Sequence, residues 1–358
     1  TKVAFGNLLK TPLPTPKRHQ IAAAVSPTLR GLISQQGKMV LRYDDAHDVL
    51  DFINSGFGCR LANIGPATPD HLIHTKRKPL WVEAKDPSNA VSVIEAIRQG
   101  VALYTQEYTE WYKANTSGLD TMLDPSPRVI LVPGVGMWTT GKDTRAALIT
   151  SDIYHHTIDV VRSAQRVGEY TSLTANDAYD AEYWPLELYK LTLAPPEKEL
   201  ARQIAMVTGA AFGIGKAISL RLAREGAHII VTDIDMDGAQ NVADEINSTI
   251  GQGRALALRM DVANASQVTR AFQNLRIAYG GLDILVSNAG IAPVGAIDTL
   301  SLQQWQRSFD INTTGHFLVS SKAVKVMKEQ TTGGALVFIG TKNVTAPGAD
   351  FGAYSASK

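Results

Sequence analysis

A glycine-rich stretch between an apolar strand and a helix constrains this chain more than any other feature. It reads Val207-Thr-Gly-Ala-Ala-Phe-Gly-Ile-Gly215, after a predicted strand at Ile204–Val207 and before a predicted helix at Lys216–Glu225. Glycines at such a turn let the backbone bend sharply and approach a diphosphate closely. The helix N-terminus adds free N–H groups and the positive end of its dipole. The strand–turn–helix context therefore predicts a dinucleotide-binding turn.

From Gln203 onward, predicted strands and helices alternate. The strands are rich in Ile, Val, Leu and Ala and have helices on both sides, which indicates a parallel sheet covered on both faces. We expect a doubly wound Rossmann-type α/β fold whose ligand lies at the carboxyl ends of the strands. The further predicted strands are His228–Thr232, Ala255–Met260, Ile284–Ser287 and Ala335–Ile339, and the further helices are Met236–Ile250, Ser266–Tyr279 and a pair spanning Ser301–Glu329.

Asp233 follows the second of these strands and bears on the choice of cofactor. A carboxylate in this place can accept hydrogen bonds from an adenosine ribose diol and would repel a 2′-phosphate. No Arg or Lys stands at Ala210–Phe212 or at Ile234 to bind such a phosphate. The sequence therefore favours NAD over NADP, and the alternative for Asp233 is a helix cap or turn residue.

The second half of the sequence contains five short motifs. In order, they are Thr208-Gly209 with Gly213-Ile214-Gly215, Asp261-Val262, Asn288-Ala289-Gly290, Asn312, and Tyr354-Ser-Ala-Ser-Lys358. In this order, residues 203–358 resemble the short-chain dehydrogenase/reductase family. The resemblance implies that Asp261 and Val262 flank the adenine and that Asn288 and its neighbours line the cofactor. The predicted cofactor-binding residues are Thr208, Gly209, Phe212, Gly213, Ile214, Gly215, Asp233, Asp261, Val262, Asn288, Ala289, Gly290, Tyr354 and Lys358.

Tyr354 and Lys358 are spaced to lie on one face of a helix. A phenol with a pKa of about 10 is a poor base at neutral pH, but a nearby ammonium and the positive nicotinamide lower that pKa. We therefore expect Tyr354 to act as the acid–base and Lys358 to support it and hold the nicotinamide ribose. By the family resemblance, Thr341 takes the place of a catalytic serine, keeping the hydroxyl but adding a methyl group. Asn312 would complete the catalytic set by holding a water that links the lysine to solvent; a structural hydrogen bond is its alternative.

Residues 1–196 predict a separate α/β region. An aromatic stripe, Tyr104, Tyr108 and Trp111, lies on one face of a long helix beginning near Ser88 and predicts core packing. The Pro195-Pro196 break marks the expected boundary between domains at 1–196 and 197–358. The other predicted elements are helices at Lys17–Gln36, Asp44–Asn54 and Asp143 to about Val167, and strands at Met39–Tyr43 and Arg128–Val132.

The segment Val132-Pro-Gly-Val-Gly-Met-Trp-Thr-Thr-Gly-Lys-Asp143 resembles the closing strand–helix unit of class II (zinc) aldolases. In that family the position matching Val135 is a metal-binding histidine, and valine cannot bind zinc. The family's His-x-His pair and Gly-Asn-Thr-Ser loop are also absent from the sequence. We therefore predict no metal site here, with zinc confined to an aldolase part that this sequence lacks.

The first half of the sequence contains histidines that could bind a metal and a basic cluster that could bind a phosphate. His71 and His74 with a distant acid would form a metal site, although hydrogen-bonded histidines are the commoner case. His155 and His156 are adjacent on a helix, so their side chains diverge and do not share a metal easily. The cluster Lys76-Arg77-Lys78 would hold a phosphate or, as the favoured alternative, form a solvated face.

Together, the two resemblances and the join through Glu182-Tyr-Trp-Pro-Leu-Glu-Leu-Tyr-Lys-Leu are similar to the family of bifunctional rhamnulose-1-phosphate aldolase/alcohol dehydrogenases. This implies a protein of rhamnose catabolism whose full-length form also has lyase activity. Its dehydrogenase half would transfer hydride between NAD and a small hydroxy-aldehyde or alcohol such as lactaldehyde. The alternatives are a short-chain dehydrogenase for another sugar or polyol, a non-catalytic NAD-binding module, and an oligomerisation role for residues 1–196.

The ends of the chain and its composition limit the remaining possibilities. The chain begins at Thr1 and stops within the Tyr354–Lys358 motif, so we expect a fragment with a C-terminally truncated Rossmann sheet and poor activity. With 35 basic and 34 acidic side chains, nothing favours nucleic acid or an anionic membrane as a partner. A single cysteine, Cys59, excludes an internal disulfide framework and fits a reducing compartment. We expect a cytoplasmic homo-oligomer acting on a small-molecule aldehyde or alcohol.

Overall fold

The computed structural model describes residues 4–193 and 195–358. Clustering of contacts divides the chain into two compact units. The first comprises residues up to 197 together with 277–280, and the second comprises residues 198–276 and 281–358. Ala194, next to the predicted boundary, lies outside the described residues.

The first unit is an α/β structure built around one mixed sheet. Its strands are β1 (Val40–Asp44), β2 (Leu80–Trp81), β3 (Val129–Val132) and β4 (Gly136–Gly141). Its helices are α1 (Thr15–Leu32), α2 (His47–Ile53), α3 (Gly58–Ala62), α4 (Leu72–Thr75), α5 (Ala90–Asn115), α6 (Thr144–Val167), α7 (Ala175–Glu182) and α8 (Pro185–Thr192).

The sheet has the order β1-β4-β3-β2, in which β4 pairs antiparallel with both of its neighbours and β2 runs parallel to β3. Alternate residues of β3 point to opposite faces, as the strand period requires. Ile130 and Val132 pack with residues of α1 and α5, whereas Val129 and Leu131 pack with residues of α2 and α6. Helices therefore cover the sheet on both sides.

The predicted core stripe of α5 is confirmed, because Tyr104, Tyr108 and Trp111 are all buried. Strand β4 was not among the predicted strands. Trp138, Thr139 and Thr140 have side chains that are common in strands, and the segment pairs with β1 and β3 as a central strand.

The second unit contains five parallel strands in the order β7-β6-β5-β8-β9, with helices between them. The strands are β5 (Ile204–Thr208), β6 (His228–Asp233), β7 (Ala255–Arg259), β8 (Ile284–Ser287) and β9 (Ala335–Phe338). The helices are α9 (Gly213–Arg224), α10 (Met236–Thr249), α11 (Ala265–Tyr279), α12 (Leu302–Phe309), α13 (Gly315–Gln330) and α14 (Gly352–Ser357). A π-helical turn at Asp310–Thr314 joins α12 to α13, and a 3-10 turn lies at Lys342–Val344.

This order confirms the doubly wound α/β fold expected from the sequence, and each predicted strand is recovered with its ends shifted by no more than one residue. Apolar residues of β5 and β6 form a core with α10, among them Val207, Val231 and Val242. The chain proceeds from β5 to β6 and β7 on one side, and returns to β8 and β9 on the other. The carboxyl ends of β5 and β8 therefore flank the point where the strand order reverses, which is where such sheets bind ligands.

No helix in the described ranges, 4–193 and 195–358, combines the length and the apolar character needed to cross a bilayer.

An imidazole held between two carboxylates joins α6 to β1 and α2 in the first unit. His155 Nδ1 lies 2.6 Å from Asp48 Oδ2, and its Nε2 lies 3.1 Å from Asp44 Oδ2. The hydrogen bond to Asp44 raises the pKa of His155 to about 9, against the effect of burial, and Asp48 adds to the rise. Burial alone would raise the pKa of Asp44, but the hydrogen bond from His155 lowers it to about 2. The neighbouring His156 faces His71 instead, so the predicted divergence is confirmed.

The pH dependence of stability tests this cluster. Because folding raises the pKa of His155, its contribution is complete below about pH 6.5 and is lost as the pH rises through about 9. We expect the unfolding free energy of the wild type, relative to His155→Gln, to fall by about 1–2 kcal/mol over this window, since the ring is partly screened by solvent. Urea unfolding followed by tryptophan fluorescence measures it.

The matched control is His47→Gln, because His47 also pairs with an aspartate but is 91% exposed. This variant should keep the pH dependence of the wild type. The assignment of His155 is contradicted if its substitution leaves the same profile.

Candidate dinucleotide site

A cleft of about 520 Å³ opens at the carboxyl ends of the strands in the second unit. Twelve of the predicted site residues line it: Gly209, Phe212, Gly213, Ile214, Asp233, Asp261, Val262, Asn288, Ala289, Gly290, Tyr354 and Lys358. Sequence reasoning missed several other lining residues, including Met260, Ile291, Arg307 and Ile339, because they carry no motif. The fold thus gathers residues that are far apart in the sequence into one concave surface.

The glycine turn after β5 is built for close approach. Gly209 has a φ of +63°, and a Cβ on it would lie 2.8 Å from the Cα of Ala289. A Cβ on Gly215 would lie 2.2 Å from the carbonyl oxygen of Gly209, so α9 starts directly against the turn. No described side chain caps the first N–H groups of α9, and Gly213 and Ile214 at this end line the cleft. An anion in the cleft would meet these donors.

Thr208 and Asn288 join the ends of β5 and β8 beneath the cleft. The Thr208 hydroxyl accepts hydrogen bonds from the backbone N–H groups of Asn288 and Ala289, each at 3.0 Å. The Asn288 amide donates to the carbonyl oxygens of Thr208 and Gly209, each at 2.9 Å. Thr208 and Gly215 were predicted to bind cofactor; neither lines the cleft, and both shape its floor.

Asp233 stands at the end of β6 with its carboxylate held in place. One oxygen accepts from the N–H of Ala211 and the other from the N–H of Asp235, each at 3.0 Å. Helix α10 is capped by Asp235, which accepts from Gly238 at 3.1 Å, so Asp233 is not the helix cap. The bond that Asp233 accepts from the N–H of Asp235 matches the other alternative, a turn residue. Each oxygen of Asp233 retains a lone pair for a further donor, as a ribose diol would require.

Tyr354 and Lys358 reach the cleft from α14. The backbone N–H of Lys358 donates to the Tyr354 carbonyl at 3.2 Å, which continues the helical spacing that the sequence predicted. The Lys358 ammonium is half-buried, donates to the carbonyl oxygen of Ile339 at 3.2 Å, and has its pKa lowered by burial. The two side chains therefore share one wall of the cleft.

Asn312 lies in the π-helical turn and is 1% exposed. Its amide oxygen accepts from the N–H of Ile291 at 2.9 Å, and its nitrogen donates to the Ile291 carbonyl at 2.8 Å and to Ser357 Oγ at 2.9 Å. These bonds fix α14 and the segment after β8, and the side chain does not line the cleft. They match the structural alternative, and the water relay stays a prediction.

Thr341 follows the cleft-lining residues Ile339 and Gly340. Its hydroxyl accepts from the N–H of Asn343 at 3.3 Å and so caps the 3-10 turn, which packs against α14. The hydroxyl keeps its own proton to donate. A direct catalytic contact for Thr341 stays a prediction.

The structure changes the interpretation of Lys76 in the first unit. Lys76 is not part of a surface cluster: its ammonium is buried, 2.7 Å from Glu182 Oε1 and 2.9 Å from the Tyr108 hydroxyl. Both interpretations of Lys76, as part of a phosphate site or of a solvated face, were therefore wrong. The sequence did not reveal the pairing because Glu182 lies far from Lys76 along the chain.

Within the described residues, no three His, Cys, Asp or Glu side chains come together as metal ligands. Val135 is fully buried in the core.

The comparisons with known proteins match two successive parts of the chain to two different families. Residues 20–191 match the family model "Aldolase class II, second domain", and residues 203–358 match that of the short chain dehydrogenases. The chain therefore consists of a class II aldolase second domain followed by a domain of the short-chain dehydrogenase/reductase family.

Individual relatives cover different parts of the chain. An oxidoreductase named YuxG, of Bacillus subtilis (strain 168), is 45% identical over 99% of this chain and 52% of its own length. D-threitol dehydrogenase of Mycolicibacterium smegmatis is 38% identical over 44% of this chain and 59% of its own length. A 3-ketoacyl-(acyl-carrier-protein) reductase from Brucella melitensis, solved with NADH, is 27% identical with a TM-score of 0.41, covering 43% of this chain and 64% of that one. The chain spans about half of the length of YuxG.

The close packing of α9 on the glycine turn is testable by adding a single methyl group. In Gly215→Ala the new Cβ would overlap backbone at 2.2 Å, so we expect a loss of about 2–3 kcal/mol of stability. Gly340→Ala is the control, because a Cβ there meets nothing within 4 Å. It should change stability by less than about 0.5 kcal/mol. Thermal unfolding by circular dichroism compares the two, and equal stabilities would contradict the packing described.

Proposed function

We propose that this chain is the NAD-binding and catalytic part of an oxidoreductase that transfers hydride between NAD and a small hydroxy-aldehyde or alcohol. The observation that carries the proposal is the single cleft in which the glycine turn, Asp233, Tyr354 and Lys358 all take part. The membership of residues 203–358 in the short-chain dehydrogenase family supports it.

The cleft suits a dinucleotide in three respects. The uncapped start of α9 and the glycine turn would hold the diphosphate, because they present N–H groups to a concave surface. Asp233 would accept hydrogen bonds from the adenosine ribose diol and repel a 2′-phosphate. Asp261 and Val262, also in the lining, would flank the adenine. Of these features, Asp233 is the one that supports NAD over NADP.

The proposed acid–base chemistry belongs to Tyr354. The bound cofactor would supply the redox chemistry, with NAD⁺ as the hydride acceptor in alcohol oxidation and NADH as the hydride donor in the reverse direction. As an alcohol is oxidised, the Tyr354 phenolate takes the proton of its hydroxyl group; in the reverse reaction, the phenol returns a proton to the carbonyl oxygen. Lys358 shares the lining of the cleft with Tyr354 and would hold the nicotinamide ribose. The Thr341 hydroxyl would donate a hydrogen bond to the same oxygen and hold it in place.

The domain that precedes the dehydrogenase domain in the same chain suggests the substrate class. A class II aldolase second domain precedes it in the same chain, and YuxG is similar across both domains. Aldolases of this class yield small aldehydes from sugar phosphates, which an NAD-dependent reductase would consume. We therefore propose a bifunctional protein of sugar breakdown, such as that of rhamnose, in which the aldehyde is lactaldehyde-like.

A second candidate substrate is a free polyol. The similarity to D-threitol dehydrogenase favours it, since that relative matches the dehydrogenase domain. Rates with lactaldehyde and NADH, compared with those for D-threitol and NAD, would separate the two candidates. We further propose a cytoplasmic homo-oligomer, for which the single cysteine and the near-neutral charge are the support.

Cofactor preference tests the role of Asp233. In Asp233→Ser the diol loses its acceptor and a 2′-phosphate is no longer repelled. We expect NADH affinity to fall about tenfold, equivalent to about 1.4 kcal/mol, while NADPH affinity stays the same or rises. Fluorescence titrations with both nucleotides give the ratio. Asp237→Ser, on the exposed side of α10, is the control and should keep the ratio of the wild type. The same ratio in both variants would contradict the ribose role.

Turnover tests the role of Tyr354 and separates an enzyme from a binding module. In the longest natural polypeptide that contains this sequence, Tyr354→Phe should lower turnover of lactaldehyde at least about 100-fold. NADH affinity should change less than about twofold, because the ring is kept. Ser355→Ala, beside it but outside the cleft lining, is the control for turnover. NADH binding with no Tyr354-dependent turnover of any aldehyde or polyol would favour the non-catalytic alternative.

A further inference from the structure

A histidine and a serine stand behind Lys358 in an arrangement that no sequence motif indicated. His316, in the first turn of α13, has its Nδ1 2.5 Å from the hydroxyl of Ser287, the last residue of β8. Its Nε2 lies 3.4 Å from the Lys358 ammonium. The ring also meets the Phe338 ring at 5.7 Å, edge to face. Three strand and helix ends of the second unit thus converge on one imidazole.

The direction of these hydrogen bonds follows from the donors and acceptors available. An ammonium can only donate, so Nε2 of His316 must accept the bond from Lys358. A neutral imidazole with one accepting nitrogen carries its proton on the other, so Nδ1–H donates to Ser287 Oγ. The network therefore requires the Nδ1–H tautomer.

The electrostatics of the cluster favour a neutral ring. Burial, and then the positive charge of Lys358, lower the pKa of His316 to about 4. Of the described residues that the ring contacts, Ser287 and Phe338 are neutral and Lys358 is the charged one. A neutral acceptor beside Lys358 favours the ammonium form and so opposes the effect of burial on the lysine.

We propose that His316 is a positioning residue whose neutral imidazole, oriented by Ser287, holds the Lys358 ammonium in place against the dinucleotide cleft. With the Ile339 carbonyl, it gives Lys358 two fixed acceptors at the end of the sheet. Lys358 is thereby oriented before any nucleotide arrives, and less ordering remains to be done on binding. The inference rests on the proposed function, because the orientation of Lys358 matters to binding only if the cleft takes a dinucleotide.

The tautomer is tested on the chain without any ligand. ¹⁵N spectra of the imidazole rings, with His316 assigned through His316→Gln, should show a protonated Nδ1 and an unprotonated Nε2 down to about pH 4. In Lys358→Met, the Nε2 resonance should shift because its donor is gone. A protonated Nε2, or a resonance unaffected by Lys358→Met, would overturn the proposal.

The effect on binding is tested by a pair of substitutions. His316→Gln places an amide oxygen where it can still accept from Lys358, whereas His316→Leu cannot accept. We expect His316→Leu to weaken NADH binding about fivefold or more, as the loss of one hydrogen bond to a charged group predicts. His316→Gln should stay within about twofold of the wild type. Ser287→Ala removes the acceptor of Nδ1–H but leaves the Lys358 donor at Nε2, so the Nδ1–H tautomer should persist while the ring is held less firmly.

The outcomes distinguish this inference from the proposed function. If the wild type binds NADH and the two His316 variants bind it equally well, His316 does not position Lys358 and the inference alone fails. If the wild type binds no NADH, the proposed function fails and the binding role of His316 fails with it. In that case, the tautomer experiment still decides whether the Ser287–His316–Lys358 contacts exist.

Discussion

The hydrogen bonds between Thr208 and Asn288 are the interaction on which the rest of the cleft depends. They tie the ends of β5 and β8 together at the point where the strand order reverses. The connection after β5 leads to β6 on one side of the sheet, and the connection after β8 leads to β9 on the other side. Without these hydrogen bonds, the two loops that follow β5 and β8 would be free to separate. These bonds also pair polar groups at both strand ends, which would otherwise lack partners beneath the cleft.

One wall of the cleft is secured in a similar way. Asn312 uses its whole amide to hold Ile291 on one side and Ser357 on the other, and the π-helical turn places it where both are in reach. Irregular helical turns of this kind occur often at functional sites. The short helix α14 therefore does not rely on its own few backbone bonds, and the orientation of Tyr354 follows from buried contacts elsewhere.

The sequence was sufficient for the frame of the second unit and for most of the cleft. Its strands are apolar runs bounded by helices, and its motif residues follow strand ends, so topology alone brings them together. It was not sufficient where partners are distant and carry no pattern. The buried pair Lys76–Glu182 and the contact of His316 with Lys358 depend on how helices pack. The spacing of these residues along the chain does not predict such contacts.

Val135 lies in the turn between β3 and β4, fully buried among aliphatic and aromatic side chains. Its backbone also takes part in the fold, as its carbonyl accepts a hydrogen bond from the Tyr43 hydroxyl at 2.8 Å. A histidine in this position would place two ring nitrogens in an apolar core with no counterpart to bind. The valine is thus more than a missing ligand. A metal-binding residue at this position would require the surrounding core to change as well.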